Sequence, residues 1–533
     1  MTSTADATAD AVVIGAGPNG LVAANALVDA GWDVVLLEAN DEAGGAVRSA
    51  HVTVDGYLSD MFSAFYPLAA ASPVIKGLDL QAHGLTWVHA PAVLSHALPD
   101  GRSATLWTDV DRTAASVEAF APGDGDAWRD MAAHWERVRD PLLDALFTPF
   151  PPVAAASRLL RRLGASGSID LARLGLLPVR RLGEERFAGD GGRLLLTGNA
   201  MHSDLPPDGA GSAIFGWLLA MLGQDVGFPV PRGGAQRLAD SLVRRFEAGG
   251  GLLRTSAPVE GIEVSGGRAV GVRLADGTEV RARRAVLADV SAPALYRELV
   301  GLQHLPERLG RDLDRFQWDN PTVKVNWALD RPVPWRSVDT RSAGTVHLGV
   351  DLDGFVDFAA DLSVRRAPRD PFVLFGQMTT TDATRSPAGT ESAWAYTHVP
   401  QGPEWTPERV AEQVARVEAA VEAVAPGFGT TIVGRDVQSP ADLEDADANL
   451  VGGATNGGTA AVHQQLFLRP TPGTGRPETP VESLFLASAS AHPGGGVHGA
   501  CGWNAARSAL SANGRLGQAR RSLVRTTWER LLR

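Results

Sequence analysis

Cysteine is nearly absent, since Cys501 is the only one in 533 residues. No intrachain disulfide can form, and a reducing compartment is expected. No run of about twenty apolar residues occurs, so no membrane-spanning helix is expected. The first ten residues, MTSTADATAD, are small and polar with acids, unlike a signal peptide. Basic charge is outweighed, with 49 Lys and Arg against 61 Asp and Glu and a net charge of -12. That balance argues against nucleic acid as the main partner. A cytoplasmic protein is expected, with peripheral attachment to a membrane still allowed. With 44% hydrophobic and 21% charged residues the chain suits a folded protein, and 533 residues suit two domains sharing one extended core.

What is present begins at Ala11-Val12-Val13-Ile14, a short apolar run suited to a buried parallel strand. Gly15-Ala16-Gly17-Pro18-Asn19-Gly20 follows with G-x-G-x-x-G spacing. Gly15 permits the tight turn, Gly17 lets backbone approach a pyrophosphate, and Gly20 lets helix pack on sheet. Leu21, Ala24, Leu27 and Val28 then recur at helical spacing up to Ala30-Gly31, and Trp32 to Leu37 reads as a second buried strand. Exposed N–H groups and the dipole at the helix start favour a diphosphate. Glu38 ends the second strand, where its carboxylate suits both ribose hydroxyls and repels a 2′-phosphate, which disfavours NADP.

The continuation Gly44-Gly45-Ala46-Val47-Arg48 resembles the extended motif of the large flavoprotein group that includes amine oxidases and carotenoid desaturases. The resemblance implies that Gly44, Gly45 and Ala46 bring a second backbone loop against the diphosphate. It places Arg48 near the flavin end, where a charge-assisted contact to phosphate or flavin carbonyl is reasonable. In mid-chain, Val230-Pro231-Arg232-Gly233-Gly234 precedes a helical pattern and then alternating segments that read as a β-meander ending at Ala288-Asp289. In the family, the backbone at the position matching Val259 contacts the adenine. No second dinucleotide fingerprint appears in mid-chain, so the organic substrate is the expected reductant of the flavin.

Near the other end, Leu484-Phe485-Leu486 leads into Ala491-His492-Pro493-Gly494-Gly495-Gly496-Val497. This resembles the phytoene-desaturase-like family, including its pyridine nucleotide-disulphide oxidoreductase domain 2 branch. Three side-chain-free residues let a flat ring approach, and the helix expected from Asn504 would stabilise negative charge on reduced flavin. The resemblance implies that Gly496 lies at the flavin and that the Val497 N–H donates to its C2 carbonyl. Ser488 and Ser490 stand where carotenoid desaturases usually have glycines; Ser490 can still bond the ribityl chain.

Candidate catalytic residues are His492 and Lys324. His492 suits an acid, a base or a substrate anchor, against a histidine that only caps the turn. Lys324 lies in Pro321 to Trp327, an alternating pattern with Lys324 and Asn326 on one face and Val323, Val325 and Trp327 on the other. Amine oxidases of this fold hold a strand lysine near flavin N5 through a water, and Lys324 fits that position; a solvated strand lysine is the alternative. His202, Asp204 and His398 are further cavity candidates. Cys501 invites a covalent flavin link, but a small buried thiol accounts for it better. Ile214 to Leu222 is apolar all round and suits either a tunnel lining or core. Arg158 to Leu163 and Arg520 to Arg533 are basic and amphipathic, suited to anionic lipid or to solvent.

The expected fold is α/β, a glutathione-reductase-like Rossmann-type FAD-binding domain (1–95, 225–300 and 440–533) interleaved with an α+β substrate domain (96–224 and 301–439). The expected protein is a FAD-dependent oxidoreductase that desaturates a small apolar organic substrate, with O2 or a quinone reoxidising the flavin. Amine-oxidase-type C–N dehydrogenation and a flavin-dependent isomerisation without net redox change are the alternatives within enzymes. A flavin-free binding protein of the same fold is countered by the intact Gly15, Gly17, Gly20 and Glu38. No metal is expected, and the oligomeric state stays open.

Overall fold

A computed structural model describes residues 7–514 and 517–531. The start of the polar leader (residues 1–6) and the last two residues of the basic C-terminal run lie outside these. The fold is α/β, with a Rossmann-type sheet beside a second, mostly antiparallel sheet.

The first sheet starts from β1 (Ala7–Ile14), followed by α1 (Pro18–Asp29) and β2 (Val34–Leu37). The chain returns through α2 (Gln236–Ala248), β3 (Leu252–Arg254), β4 (Val259–Ser265), β5 (Arg268–Leu274) and β6 (Glu279–Ala288), and closes with β7 (Leu484–Leu486) and α3 (Ala500–Ala512). The strand order is β4-β5-β6-β1-β2-β3, with β7 also on β6. The core strands run parallel, Val12 lying between Val286 on β6 and Val35 on β2. Such strands are covered on both faces and so read as continuous apolar runs. Ala11 and Val13 pack with Leu21, Leu27, Phe246 and Ala505 from the three helices. Val12 and Ile14 pack the other way, with Ile262 and Val272 of the meander.

α3 begins at Ala500, four residues earlier than the pattern from Asn504 suggests. The small residues that read as loop are its first turn, pressed on the start of α1. Gly499 enters at φ +70, which favours glycine. A Cβ on Gly502 would sit 1.8 Å from the Asn19 carbonyl oxygen. The two helix N-termini therefore converge.

The second sheet orders its strands Ile432–Gln438, Thr322–Leu329, Glu391–His398, Val373–Gln377, Ala343–Leu348, Ala92–Ala97 and Ser103–Leu106. One face carries Val323, Val325, Trp327 and Phe375 against Val410, Val414, Val417 and Val421 of helix Pro407–Val424. The opposite face looks into the molecule, so all eight residues of Thr322–Leu329 are buried. The expectation of a two-faced strand holds for the pattern, but its polar face is interior.

Candidate functional site

The site is built at the carboxyl ends of β1, β2 and β6, where ligands gather in open parallel sheets. Gly15 takes φ +89, and a Cβ there would meet the Asp289 carbonyl oxygen at 2.8 Å. A Cβ on Gly20 would fall 2.0 Å from the Gly15 carbonyl oxygen, so helix and loop touch through backbone alone. Gly17 is the N-cap of α1 and offers no side chain to that helix end. Pro18 opens the first turn, and the Asn19 Oδ1 is buried without a partner.

Glu38 is buried, its carboxylate accepting the Ala16 N–H at 2.7 Å and the Asn40 N–H at 2.9 Å. Asp289 stands under the same loop and accepts the Gly20 N–H at 2.7 Å. Burial, then the charges of Asp447 and Glu38, push its carboxyl up to about 8 against the pull of the Gly20 N–H. Asp289 escaped the sequence reading. Its one signal was its place directly after an apolar strand, equivalent to Gly15 after β1 and Glu38 after β2.

The second glycine pair lies on the first. Gly44 donates to the Ala16 carbonyl at 2.9 Å. A Cβ on Gly45 would meet the Gly17 Cα at 3.0 Å and Asp447 Oδ2 at 3.3 Å. Ala46 accepts from the Ser63 hydroxyl at 2.7 Å. Arg48 donates to the carbonyls of Gly45 at 3.0 Å and Ala446 at 2.5 Å, with its guanidinium 5.1 Å from the Phe62 ring. Burial raises the carboxyl of Asp447, and Arg48 pulls it back. Asn449 ties this segment to β6, donating to the Asp289 carbonyl at 3.0 Å and accepting the Ser291 N–H at 2.8 Å. Val259 begins β4 two residues after Ala257, whose N–H donates to the Glu38 carbonyl at 2.8 Å.

At the far end the turn after β7 holds the remaining candidates. Ser490 donates to the Gly457 carbonyl at 2.9 Å. His492 is 4% exposed with neither ring nitrogen partnered, and burial lowers its pKa to about 4. Its surroundings are the backbone of Leu146 and Thr148. A Cβ on Gly495 would strike Asn456 backbone at 2.9 Å, and one on Gly496 would meet Leu68 Cδ1 at 2.7 Å. These glycines are thus required by protein neighbours as well as by any ring. Gly496 is exposed and Val497 half-buried between buried His492 and His498, so the turn opens outward there. The buried Cys501 thiol points to the carbonyls of Ala491 and Gly494, at 3.6 and 3.7 Å, and burial pushes it up to about 12.

Lys324 is one of only two lysines in the chain. It is 3% exposed, while Lys76 is exposed. Its Nζ donates to the Asp60 carbonyl and lies 5.9 Å from the Trp394 ring. Burial lowers its pKa to about 7, with Asp60 and Asp436 opposing. Cross-strand pairing puts Lys324 opposite Tyr396, Asn326 opposite Trp394 and Thr322 opposite His398, all on the interior face. Trp394 and Tyr396 stack at 5.9 Å and 14°. Beneath them Asp60 pairs with Arg385 at 2.9 Å, both fully buried. His398 has no partner at either ring nitrogen. His202 meets His347 at 2.9 Å, and Asp204 binds the Thr459 hydroxyl at 2.7 Å.

These groups fit a flavin dinucleotide. The N-termini of α1 and α3 meet at Asn19 and Gly502, each with one N–H held by a side chain, that of Gly20 by Asp289 and that of Ala500 by His498, and Asn504 keeps both side-chain polar atoms buried and unpartnered beside them. Buried polar atoms without partners are uncommon; a ligand with both acceptor oxygens and N–H or O–H groups would satisfy the Asn504 amide, and an anionic group suits the free N–H groups of the two helix starts. A family model described as flavin containing amine oxidoreductase matches residues 19–510. The chain is 29% identical to the pyridine nucleotide-disulfide oxidoreductase domain-containing protein 2 of Rattus norvegicus, over 93% of this chain and 92% of that protein. It is 24% identical to a neurosporene-forming phytoene desaturase of Rhodobacter capsulatus, over 91% of each chain. A solved putrescine oxidase superposes with a TM-score of 0.60 at 17% identity, over 95% of this chain and 100% of that one. The chain belongs to the flavin-containing amine oxidoreductase family, in the branch with the phytoene desaturases, and FAD is its cofactor.

Proposed function

We propose that the protein desaturates an apolar organic substrate, taking a hydride and a proton from adjacent carbons to leave a C=C bond. The observation that carries this reading is the lining next to the glycine turn. One apolar cluster joins Ala500, at the head of α3, to Phe65, Leu68, Ile214, Leu218 and Leu219. The last five are only partly buried and carry no charge among them. Ile214 and the leucines belong to helix Ser212–Val226, which supplies the apolar wall.

In this reading Glu38 holds the ribose, the loops Gly15 to Gly20 and Gly44 to Ala46 hold the diphosphate, and Arg48 lies near the flavin end. Val259 backs the adenine, while Ser490, Gly496 and Val497 border the flavin. FAD held there would supply the hydride acceptor, with O2 or a quinone as the oxidant that returns it to its starting state. Lys324 Nζ takes the proton, because burial leaves it largely neutral above pH 7. The Asp60 carbonyl fixes that nitrogen in place. His492 anchors the substrate near Leu146 and Thr148. Residues 1–95, 225–300 and 440–533 form the cofactor domain, and 96–224 and 301–439 the substrate domain.

A second reading has one observation of its own. The stacked Trp394 and Tyr396 beside Lys324 would suit an amine, whose cationic form favours aromatic faces. Anaerobic bleaching of the flavin by hydrocarbons and by amines separates the two: hydrocarbons should bleach it, and bleaching by amines alone would overturn desaturation.

Membrane contact is peripheral in this proposal. Among the described residues no helix is long and apolar enough to cross a bilayer. Val153, Leu160 and Ile169 are exposed on helix Val153–Leu174 alongside Arg158, Arg161 and Arg162. Such a face suits anionic lipid. Co-sedimentation with phosphatidylglycerol vesicles should therefore exceed that with phosphatidylcholine; equal sedimentation would refute the contact. The remainder of the protein would stand in the cytoplasm.

A further inference from the structure

A buried cation stands directly behind the glycine turn. Arg469 is 1% exposed, and its guanidinium donates to backbone carbonyls: Ala489 at 2.7 and 3.1 Å, Thr459 at 2.9 Å, Asn456 at 2.9 Å and Gly458 at 3.3 Å. Among the described residues no carboxylate lies within ion-pair distance of it. Asp319 and Asp204 act on it only through space, since their oxygens are engaged by the same loop. Asp319 accepts the N–H groups of Thr455 at 2.7 Å, Asn456 at 3.0 Å and Gly458 at 3.3 Å. Asp204 accepts the Ala460 N–H at 2.9 Å besides the Thr459 hydroxyl. On its other side Arg469 meets the turn, with Nε 3.2 Å from where a Cβ on Gly494 would be.

Carbonyls alone do not call for an arginine. A neutral amide could tie two loops at a lower desolvation cost, whereas a buried guanidinium keeps its charge, here without a direct ion pair and opposed through space by Asp319 and Asp204. That arrangement sets a positive charge, weakly screened in the interior, directly against the turn, with Nε facing Gly494 while the carboxylates bond the 455–460 segment.

We propose that Arg469 sets the reduction potential of the flavin, positioning the 456–459 loop and placing a buried positive charge behind the Gly494–Gly496 turn. This rests on the reading of that turn as the flavin-binding segment. Electrons added to the flavin leave negative charge around N1 and the C2 carbonyl, and a cation behind the turn stabilises that charge. The same field makes N5 a better electrophile.

Sulfite tests this without knowledge of the substrate. Its sulfur lone pair forms a bond to N5, the N5=C4a bond opens, and the electron pair settles at N1 and the C2 carbonyl. The purified holoprotein is titrated with sulfite at pH 8, following loss of visible flavin absorbance, and its midpoint potential is measured. Arg469→Met should lower the potential and weaken sulfite binding at least about tenfold. Arg469→Lys should retain most of the affinity, because it keeps the charge while losing most of the loop bonds. Asp319→Asn removes a buried acid that opposes Arg469 through space and should tighten sulfite binding; it and the lysine variant carry the test if Arg469→Met does not fold. Unchanged potential and affinity in flavin-bearing variants would overturn the proposal, as would equal losses in the Lys and Met variants. A colourless wild-type protein that takes up no FAD would instead refute the flavin site itself.

Discussion

Glu38→Gln tests the cofactor site at one carboxylate. A carboxylate offers about four lone-pair sites. Two are occupied, by the N–H groups of Ala16 at 2.7 Å and Asn40 at 2.9 Å, which leaves two for the paired hydroxyls of a ribose. Glutamine has one acceptor oxygen with two sites, and its NH2 would face a donor. Of four donors seeking Glu38 in the holoprotein, at least one from the ribose then goes unmet. Hydrogen bonds to charged groups are worth about 1.5–3 kcal/mol, so FAD should bind about 10- to 100-fold more weakly. The variant also relieves Asp289, whose carboxyl is pushed up partly by the Glu38 charge, so any pH dependence from Asp289 should move to lower pH. The assay is titration of apoprotein with FAD, following quenching of flavin fluorescence, across pH 6 to pH 9. A dissociation constant within about twofold of wild type would show that the ribose does not use this carboxylate.

Gly20→Ala should abolish FAD retention, because its Cβ would fall 2.0 Å from the Gly15 carbonyl oxygen and part α1 from the loop; Gly77→Ala, with nothing within 4 Å, should leave absorbance and melting temperature unchanged. Asp289 titrates at about 8 in the fold against 3.8 unfolded, so native stability should fall as pH rises between those values. FAD release should increase above pH 8 as a carboxylate appears beside the diphosphate. Asp289→Asn should flatten both profiles, checked by denaturant titration and by flavin release. Lys324 titrates at about 7 against 10.5 unfolded, so its contribution makes stability rise with pH between 7 and 10.5. Lys324→Met should remove that slope and, with a bleaching substrate in hand, the limb of the flavin-reduction profile near pH 7. A limb that persists in the variant would assign the base elsewhere.

The glycine loop was legible because every requirement there is local: a strand end, a left-handed Gly15 and a helix start within a few residues. The flavin assignment followed from three such segments together, and the family match bears it out. What escaped reading comes from long-range closure. Asp289 reaches Gly20 across 269 residues of sequence, and Arg469 acts through carbonyl oxygens that every residue type possesses. Lys324 shows a different limit. Alternation told correctly which side chains share a face, but not whether that face meets water, because the answer depends on Trp394 and Tyr396 brought alongside by the neighbouring strand. The early start of α3 was hidden for a third reason, since Ala500 to Gly502 are small to fit against Asn19 and small residues read as loop.

The charges at the two ends of the site explain why a dinucleotide suits it. Glu38, Asp289 and Asp447 crowd one end, where a diphosphate meeting three carboxylates would be repelled. Burial answers this by raising both Asp289 and Asp447, Asp289 up to about 8 so that it carries a proton at neutral pH, while the nearby cation Arg48 is engaged with two carbonyls. Towards the glycine turn the polarity reverses, with the buried Arg469 guanidinium behind Gly494. A lone nucleotide would engage only the first end. A ligand bearing hydroxyls and a diphosphate at one end, and a ring that gains negative charge at the other, meets both; FAD does so, and the polarity strengthens as the ring is reduced.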